Sequence, residues 1–167
     1  MDPMQLVGTW RLQRQIEDHR GEDVTVTGLA EFTAEADGRI RWHESGTMHH
    51  VRTDLPFTRT MFLVPGHGPD QDHSQGQGPT ARLAAAWHVT FEDGRYFHPW
   101  PGATAAGGGV GAEGGPTSSG MDVVHVCTPD LYRGEFSERS SERTWTLIWR
   151  VTGPRKDYVM STDYTRL

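Results

Sequence analysis

The sequence predicts an all-β protein, an antiparallel up-and-down β-barrel of about ten strands with a short N-terminal helix. Three observations carry this expectation. Apolar and polar residues alternate with period two along most of the chain, the mark of strands with one buried face. The alternating segments are separated mostly by short turns, several carrying Asp-Gly or Gly-Pro. No segment shows the sustained 3.6-residue period of a long helix. A meander of this length has two exposed edges, which closure removes, and a barrel of this size has room for one small ligand. A flattened β-sandwich is the alternative that the same pattern allows.

The elements follow in order. Asp2 as N-cap, Pro3 at the first helical position, Gln5 three residues after the cap and Gly8 as a stop predict a helix of about one and a half turns that plugs or flanks one barrel end. "TWRLQRQIED" sets Trp10, Leu12, Arg14 and Ile16 on one face of the first strand. "DVTVTGLAEFTAE" aligns Val24, Val26, Gly28, Ala30 and Phe32, and the Asp37-Gly38 turn leads into "RIRWHESGTM", where Ile40, Trp42, Glu44, Gly46 and Met48 share a face. "LPFTRTMFLV" aligns Phe57, Arg59, Met61 and Leu63. "ARLAAAWHVTF" aligns Leu83, Ala85, Trp87, Val89 and Phe91, and Asp93-Gly94 turns it into "RYFHPW". "MDVVHVC", "LYRGEFS", "RTWTLIWRV" and "DYVMSTDYT" supply four more strands. Residues 66–79 and 101–120 are rich in Gly, Pro and small polar residues and read as mobile loops within one domain spanning 1–167. His67, Asp70, Asp72 and His73 in the first loop have no metal-ligand spacing, so no metal site is expected.

Composition narrows the function classes. A formal charge of −6 and a pI of about 5.8 give no basic footprint for nucleic acid. A single cysteine cannot close an internal disulfide, and "MDPMQLVG" has no basic n-region followed by an apolar core. No apolar run is long enough for a membrane-spanning helix, and a cytoplasmic location is the expectation.

"GTW" after a short helix is similar to the Gly-x-Trp opening of lipocalins and other calycins. "LQRQI", "WHESG", "FEDGRYFH", "HVCTPDLY", "WRVTGPRKDY" and the final "TDYTR" together resemble the domain-of-unknown-function family 6314, over nearly the whole chain outside the two loops. The resemblance implies a calycin-like, lipocalin-like barrel and no assigned activity. It also implies that the 101–120 segment is a loop expansion outside the family pattern, a poor place for a site.

Candidate site residues are polar groups on apolar strand faces. Arg14, Glu44 and Arg59 all fall on such faces, and a buried guanidinium must be paired or meet an anion. One reading is an internal Arg14–Glu44 ion pair with Arg59 near a wet barrel mouth. The other is that one carboxylate cannot neutralise two arginines, so the surplus charge holds the carboxylate or phosphate of a small amphipathic ligand. Tyr158 and Tyr164, aligned with Met160 and Thr162 on the last strand, would donate hydrogen bonds, and Trp42 and Trp87 would form walls. This reading predicts an enclosed cavity lined by at least one arginine without a carboxylate partner.

An alternative is an isomerase, cyclase or dehydratase with His98 or His125 as acid–base and Tyr158 in support, His98 lying near a barrel rim beside the Asp93-Gly94 turn. His125 and Cys127 share a strand face and invite a thiolate nucleophile, but no oxyanion-hole signature accompanies them. No cofactor is expected; haem held by His98 or His125 is the low-ranking exception. Lys156, the sole lysine, falls in "GPRKDY", a hairpin connection that places Arg155 and Lys156 either in solvent or at the rim, where they would attract an anion. A small-molecule ligand is thus the expected partner, and oligomeric state is not legible.

Overall fold

A computed structural model describes residues 2–66, 87–101, 121–139 and 143–167. The chain opens with a 3-10 turn, Pro3–Leu6, followed by ten strands: β1 Gly8–Asp18, β2 Val24–Ala34, β3 Ile40–His49, β4 Asp54–Pro65, β5 Trp87–Phe91, β6 Tyr96–Pro99, β7 Met121–Cys127, β8 Asp130–Arg139, β9 Thr144–Thr152 and β10 Asp157–Arg166. Hydrogen-bonded neighbours run β6-β5-β4-β3-β2-β1-β10-β9-β8-β7, every pair antiparallel. The up-and-down meander therefore curls until its two end strands, β6 and β7, meet at a seam, giving a nearly closed barrel. Phe97 of β6 packs edge-on against His125 of β7 across that seam, with ring centroids 4.9 Å apart. Among the described residues no helix is long and apolar enough to cross a membrane.

The period-two pattern translates directly into burial. In β1, Trp10, Leu12 and Arg14 are buried while Arg11, Gln13 and Gln15 are exposed, and β9 buries Trp145, Leu147, Trp149 and Val151. The N-terminal segment is one 3-10 turn, shorter than the predicted helix. Asp2 caps it by accepting from the Met4 amide at 3.0 Å, and Pro3 supplies the first position. Leu6 from this turn is buried, and its carbonyl accepts from Trp10 Nε1 at 2.7 Å, so the turn plugs one barrel end. Arg166 ties the same end: it donates to the Gln5 and Val7 carbonyls and lies over the Trp10 ring.

Asp37-Gly38 and Asp93-Gly94 form the expected tight turns, both glycines at positive φ. "GPRKDY" is a hairpin connection, closed by Gly153 N donating to the Lys156 carbonyl at 2.8 Å. Gly28 and Gly46 face each other on adjacent strands, where a Cβ on either would strike the partner's backbone within 3 Å. Only glycine fits at this close approach of the two strands. The expected loops at 66–79 and 101–120 lie outside the described residues except at Gly66 and Pro101, and His67, Asp70, Asp72, His73, Leu83 and Ala85 lie outside them too.

Candidate functional site

Three polar side chains, buried Arg14 and Tyr164 and half-buried Arg59, converge on Glu44, which is fully buried. In register, Arg14 on β1 faces Thr162 on β10, and Glu44 on β3 faces Arg59 on β4. Arg14 Nη2 contacts both Glu44 oxygens at 3.1 and 2.9 Å, and its Nε donates to Thr162 Oγ1 at 2.8 Å. Arg59 Nη2 lies 2.9 Å from Glu44 Oε2, and the Tyr164 hydroxyl donates to Oε1 at 2.6 Å. Desolvation pushes the Glu44 carboxyl upward, but the Arg59 and Arg14 guanidiniums and the Tyr164 hydrogen bond outweigh it and hold the group below the usual carboxylate range. Desolvation opposes the charge on Arg14, and its Tyr164 and Glu44 neighbours keep that guanidinium protonated. Burial, then the Glu44 charge, pushes the Tyr164 phenol up, so it stays a neutral donor. Two positive charges thus share one negative charge inside the barrel.

The two arginines differ in access. The Arg14 side chain is 3% exposed and capped by Phe57, whereas Arg59 is 28% exposed, lies over the Trp42 ring and lines a half-open cavity of about 270 Å³. Arg59 Nε is buried and, among the described residues, has no hydrogen-bond partner.

The cavity sits where β8 and β10 begin and β9 ends, beside the seam. Register builds its wall in rows: His125, Tyr132, Val151 and Tyr158 lie side by side across β7, β8, β9 and β10, with Trp149 and Met160 in the next row inward. Gly134 makes room for Trp149, since a Cβ there would lie 2.8 Å from the indole. Phe91 and Phe97 complete an aromatic wall: Phe97 stacks on Trp149 with centroids 5.2 Å apart, and Phe91 lies 4.8 Å from Phe97. At the rim, Lys156 Nζ donates to Tyr132 Oη and pairs with Asp130 Oδ2, both at 2.7 Å; these hydrogen bonds push its pKa up. A second depression of about 290 Å³ lies at the plugged end between the 3-10 turn and β9. There Arg166 is already engaged on backbone carbonyls.

The sequence profile of a family of unknown function, DUF6314, matches residues 6–166. This chain belongs to that family. No curated protein matches it in sequence. Among solved structures, this DUF6314 barrel is similar to the S-type phycobiliprotein lyase CpeS from Guillardia theta, at 8% identity and a TM-score of 0.56, covering 99% of this chain and 90% of that one. It also matches a de novo designed fluorescence-activating β-barrel (11% identity, TM-score 0.43, 100% and 99% covered) and a redesigned barrel bound to DFHBI (10% identity, TM-score 0.38, 96% and 98% covered). At these identities the likeness to the lyase is one of fold alone, an antiparallel, nearly closed β-barrel.

Of the residues singled out from sequence, Arg59, His125 and Tyr158 line the cavity, with Cys127 beside them. Burial, then Tyr132, raises the Tyr158 phenol. Arg14, Glu44 and Tyr164 stand behind Arg59 and do not line it. Trp42 is a packed core residue that supports Arg59, not a cavity wall, and half-buried Trp87 packs against the core away from the cavity. The expected arginine without a carboxylate partner is not found in the cavity, which is half-open: of the two arginines that line it, Arg59 shares Glu44 with Arg14, and the exposed Arg95 pairs with Asp93.

His98 is not at a rim. It is 1% exposed, its Nδ1 lies 2.8 Å from the Pro99 carbonyl, and Phe97, Phe136 and Trp149 enclose the ring. Burial lowers its pKa to about 4, so it is neutral and offers no open face as acid–base or axial ligand. Lys156 is tied to Asp130, which offsets its charge, and Arg155 is exposed. Among the described residues no group of three or more His, Cys, Asp or Glu could hold a metal ion. Tyr132, Trp149, Phe97, Met61 and Met160 are cavity residues that sequence reasoning did not name as a site. The period-two alternation placed Met61, Trp149 and Met160 on apolar faces, but nothing local marked Tyr132 or Phe97.

Proposed function

We propose that the protein binds a small amphipathic anion in the seam cavity, with Arg59 receiving its carboxylate or other acidic head. The observation that carries this reading is the pairing of an apolar, aromatic-walled cavity with a guanidinium that is only half neutralised. Apolar lining with a few convergent polar groups is the ordinary make-up of a ligand site, and the cavity volume suits a compact ligand. The Glu44 carboxylate holds Arg59 in place without cancelling both arginines, so an incoming anion completes the charge balance inside a low-dielectric barrel. Arginine's forked donors suit a carboxylate better than a lysine ammonium would. That a phycobiliprotein lyase shares the fold is consistent with a barrel that handles small molecules.

The test is a calorimetric titration with decanoate and with decanol, whose chains match and whose heads differ in charge. Decanoate is expected to bind the wild type at least about tenfold more tightly than decanol, the scale of a charge-assisted hydrogen bond. Arg59→Met should remove that preference. Equal affinity for both molecules, or no saturable decanoate binding, would overturn the reading.

A further inference from the structure

The cavity rim holds a hydroxyl whose only described partner is a donor. Lys156 Nζ donates to Tyr132 Oη at 2.7 Å, and an ammonium cannot accept a hydrogen bond in return. The phenolic hydrogen therefore has no acceptor among the described residues, although the Tyr132 ring lines the cavity. Asp130 holds Lys156 at 2.7 Å, and the ammonium also lies 5.3 Å from the Tyr132 ring centroid, so the donor is fixed relative to the phenol. Its neighbours are supporting: His125 and Trp149 pack on the ring with centroids 5.8 and 6.4 Å away. Asp130 offsets the lysine charge, which makes the rim a poor second anion site. What Lys156 does instead is polarise the Tyr132 hydroxyl as a donor, because hydrogen bonds in a chain strengthen one another.

From this geometry we infer that Tyr132, oriented by Lys156 and Asp130, is a second and neutral anchor that selects a ligand carrying a carbonyl-type acceptor oxygen apart from its acidic head. Phe97 and Trp149, stacked on each other with an interplanar angle of 27°, supply aromatic surface to the cavity that both anchors line. The ligand class is thus a flat, conjugated or aromatic acid with a ketone or similar acceptor. The inference rests on the anion reading, since Arg59 supplies the other anchor.

A matched pair of probes tests it. 4-Benzoylbenzoate and 4-benzylbenzoate share an acidic head and two rings and differ in a ketone against a methylene. The wild type is expected to bind the ketone about tenfold more tightly, the scale of one well-made hydrogen bond. Tyr132→Phe should bring the two affinities together, the ketone's advantage being lost, and Lys156→Met should narrow the gap. Arg59→Met should weaken both. Equal binding of the two probes to the wild type, or a preference that survives in Tyr132→Phe, overturns the second anchor while the Arg59 effect leaves the anion reading standing. Failure of both probes to bind a wild type that binds decanoate overturns the aromatic-ligand assignment alone; failure of decanoate as well overturns the two together.

Discussion

At the end of the barrel where β10 finishes, aromatic side chains fill the interior: Trp145 stacks on Tyr164 with centroids 3.9 Å apart, Trp10 meets Trp145 edge-on, and the Leu6 turn closes the opening. At the end where β10 begins, similar aromatic residues line a space without filling it, and most of the side chains around it are half-buried. Two devices separate these ends. The 3-10 turn and Arg166 plug only the first, and Gly134 at the second lets Trp149 lie back against β8. Glu44 lies between, bonded on one side to Arg14 and Tyr164 in the packed interior and on the other to Arg59 in the cavity. One carboxylate thus serves stability through one arginine and recognition through the other.

The contrast can be broken most forcefully at Glu44. Glu44→Gln leaves Arg14 buried without a counter-charge, and urea denaturation should show a loss of about 3–5 kcal/mol. Arg59→Met, at the wetter side, should cost under about 1 kcal/mol by the same measurement, because the side chain already reaches solvent. Comparable losses in the two variants would mean that the cluster does not divide its roles.

Acid should reveal the packed interior next. The unfolded His98 titrates near its usual value of about 6.5, while the folded pKa is about 4. The unfolded chain therefore binds a proton first, and the native state loses stability as pH falls from about 6.5 to about 4, by roughly 3 kcal/mol in all. Glu44 shifts in the same downward sense and acts in the same direction with pH: its depressed folded pKa adds stability above the unfolded carboxylate value, which is lost as pH falls through the folded one. His98→Gln should flatten the upper part of this profile and leave the lower part. An unchanged profile in that variant would remove His98 from the account.

Gly134→Ala offers a gentler perturbation. Its Cβ would meet both Trp149 and Val123 side chains at 2.8 Å, so a loss of about 1–3 kcal/mol is expected, with Trp149 pushed into the cavity. Decanoate affinity should fall with it; unchanged affinity would show that Trp149 is not a wall of the site.

Much of the barrel was legible because half-buried strands write their burial in period two. Arg14, Glu44 and Arg59 stood out because charged residues on an apolar face must find partners, and they find one another. That Glu44 serves both arginines depends on the register of β1, β3, β4 and β10, which alternation does not specify. His98 shows the cost of local reading. It follows a tight turn, but a bulge opposite Val89 and Thr90 shifts the pairing: Tyr96 faces Thr90 and His98 faces Val89, leaving Phe97 as the extra residue. That one residue turns His98 into the core while Phe97 lines the cavity. Tyr132 and Lys156 lie 24 positions apart and meet only because the "GPRKDY" turn and the start of β8 fall at the same barrel end.

The central claim, that the open end binds an amphipathic anion while the plugged end stays dry, can be read from the indole N–H signals of the tryptophans in a ¹H–¹⁵N titration with decanoate. The Trp149 resonance should shift saturably with ligand, those of Trp10 and Trp145 should stay in place, and Arg59→Met should abolish the Trp149 response at the same decanoate concentrations. Shifts confined to Trp10 and Trp145, or a Trp149 response indifferent to Arg59, would contradict the account.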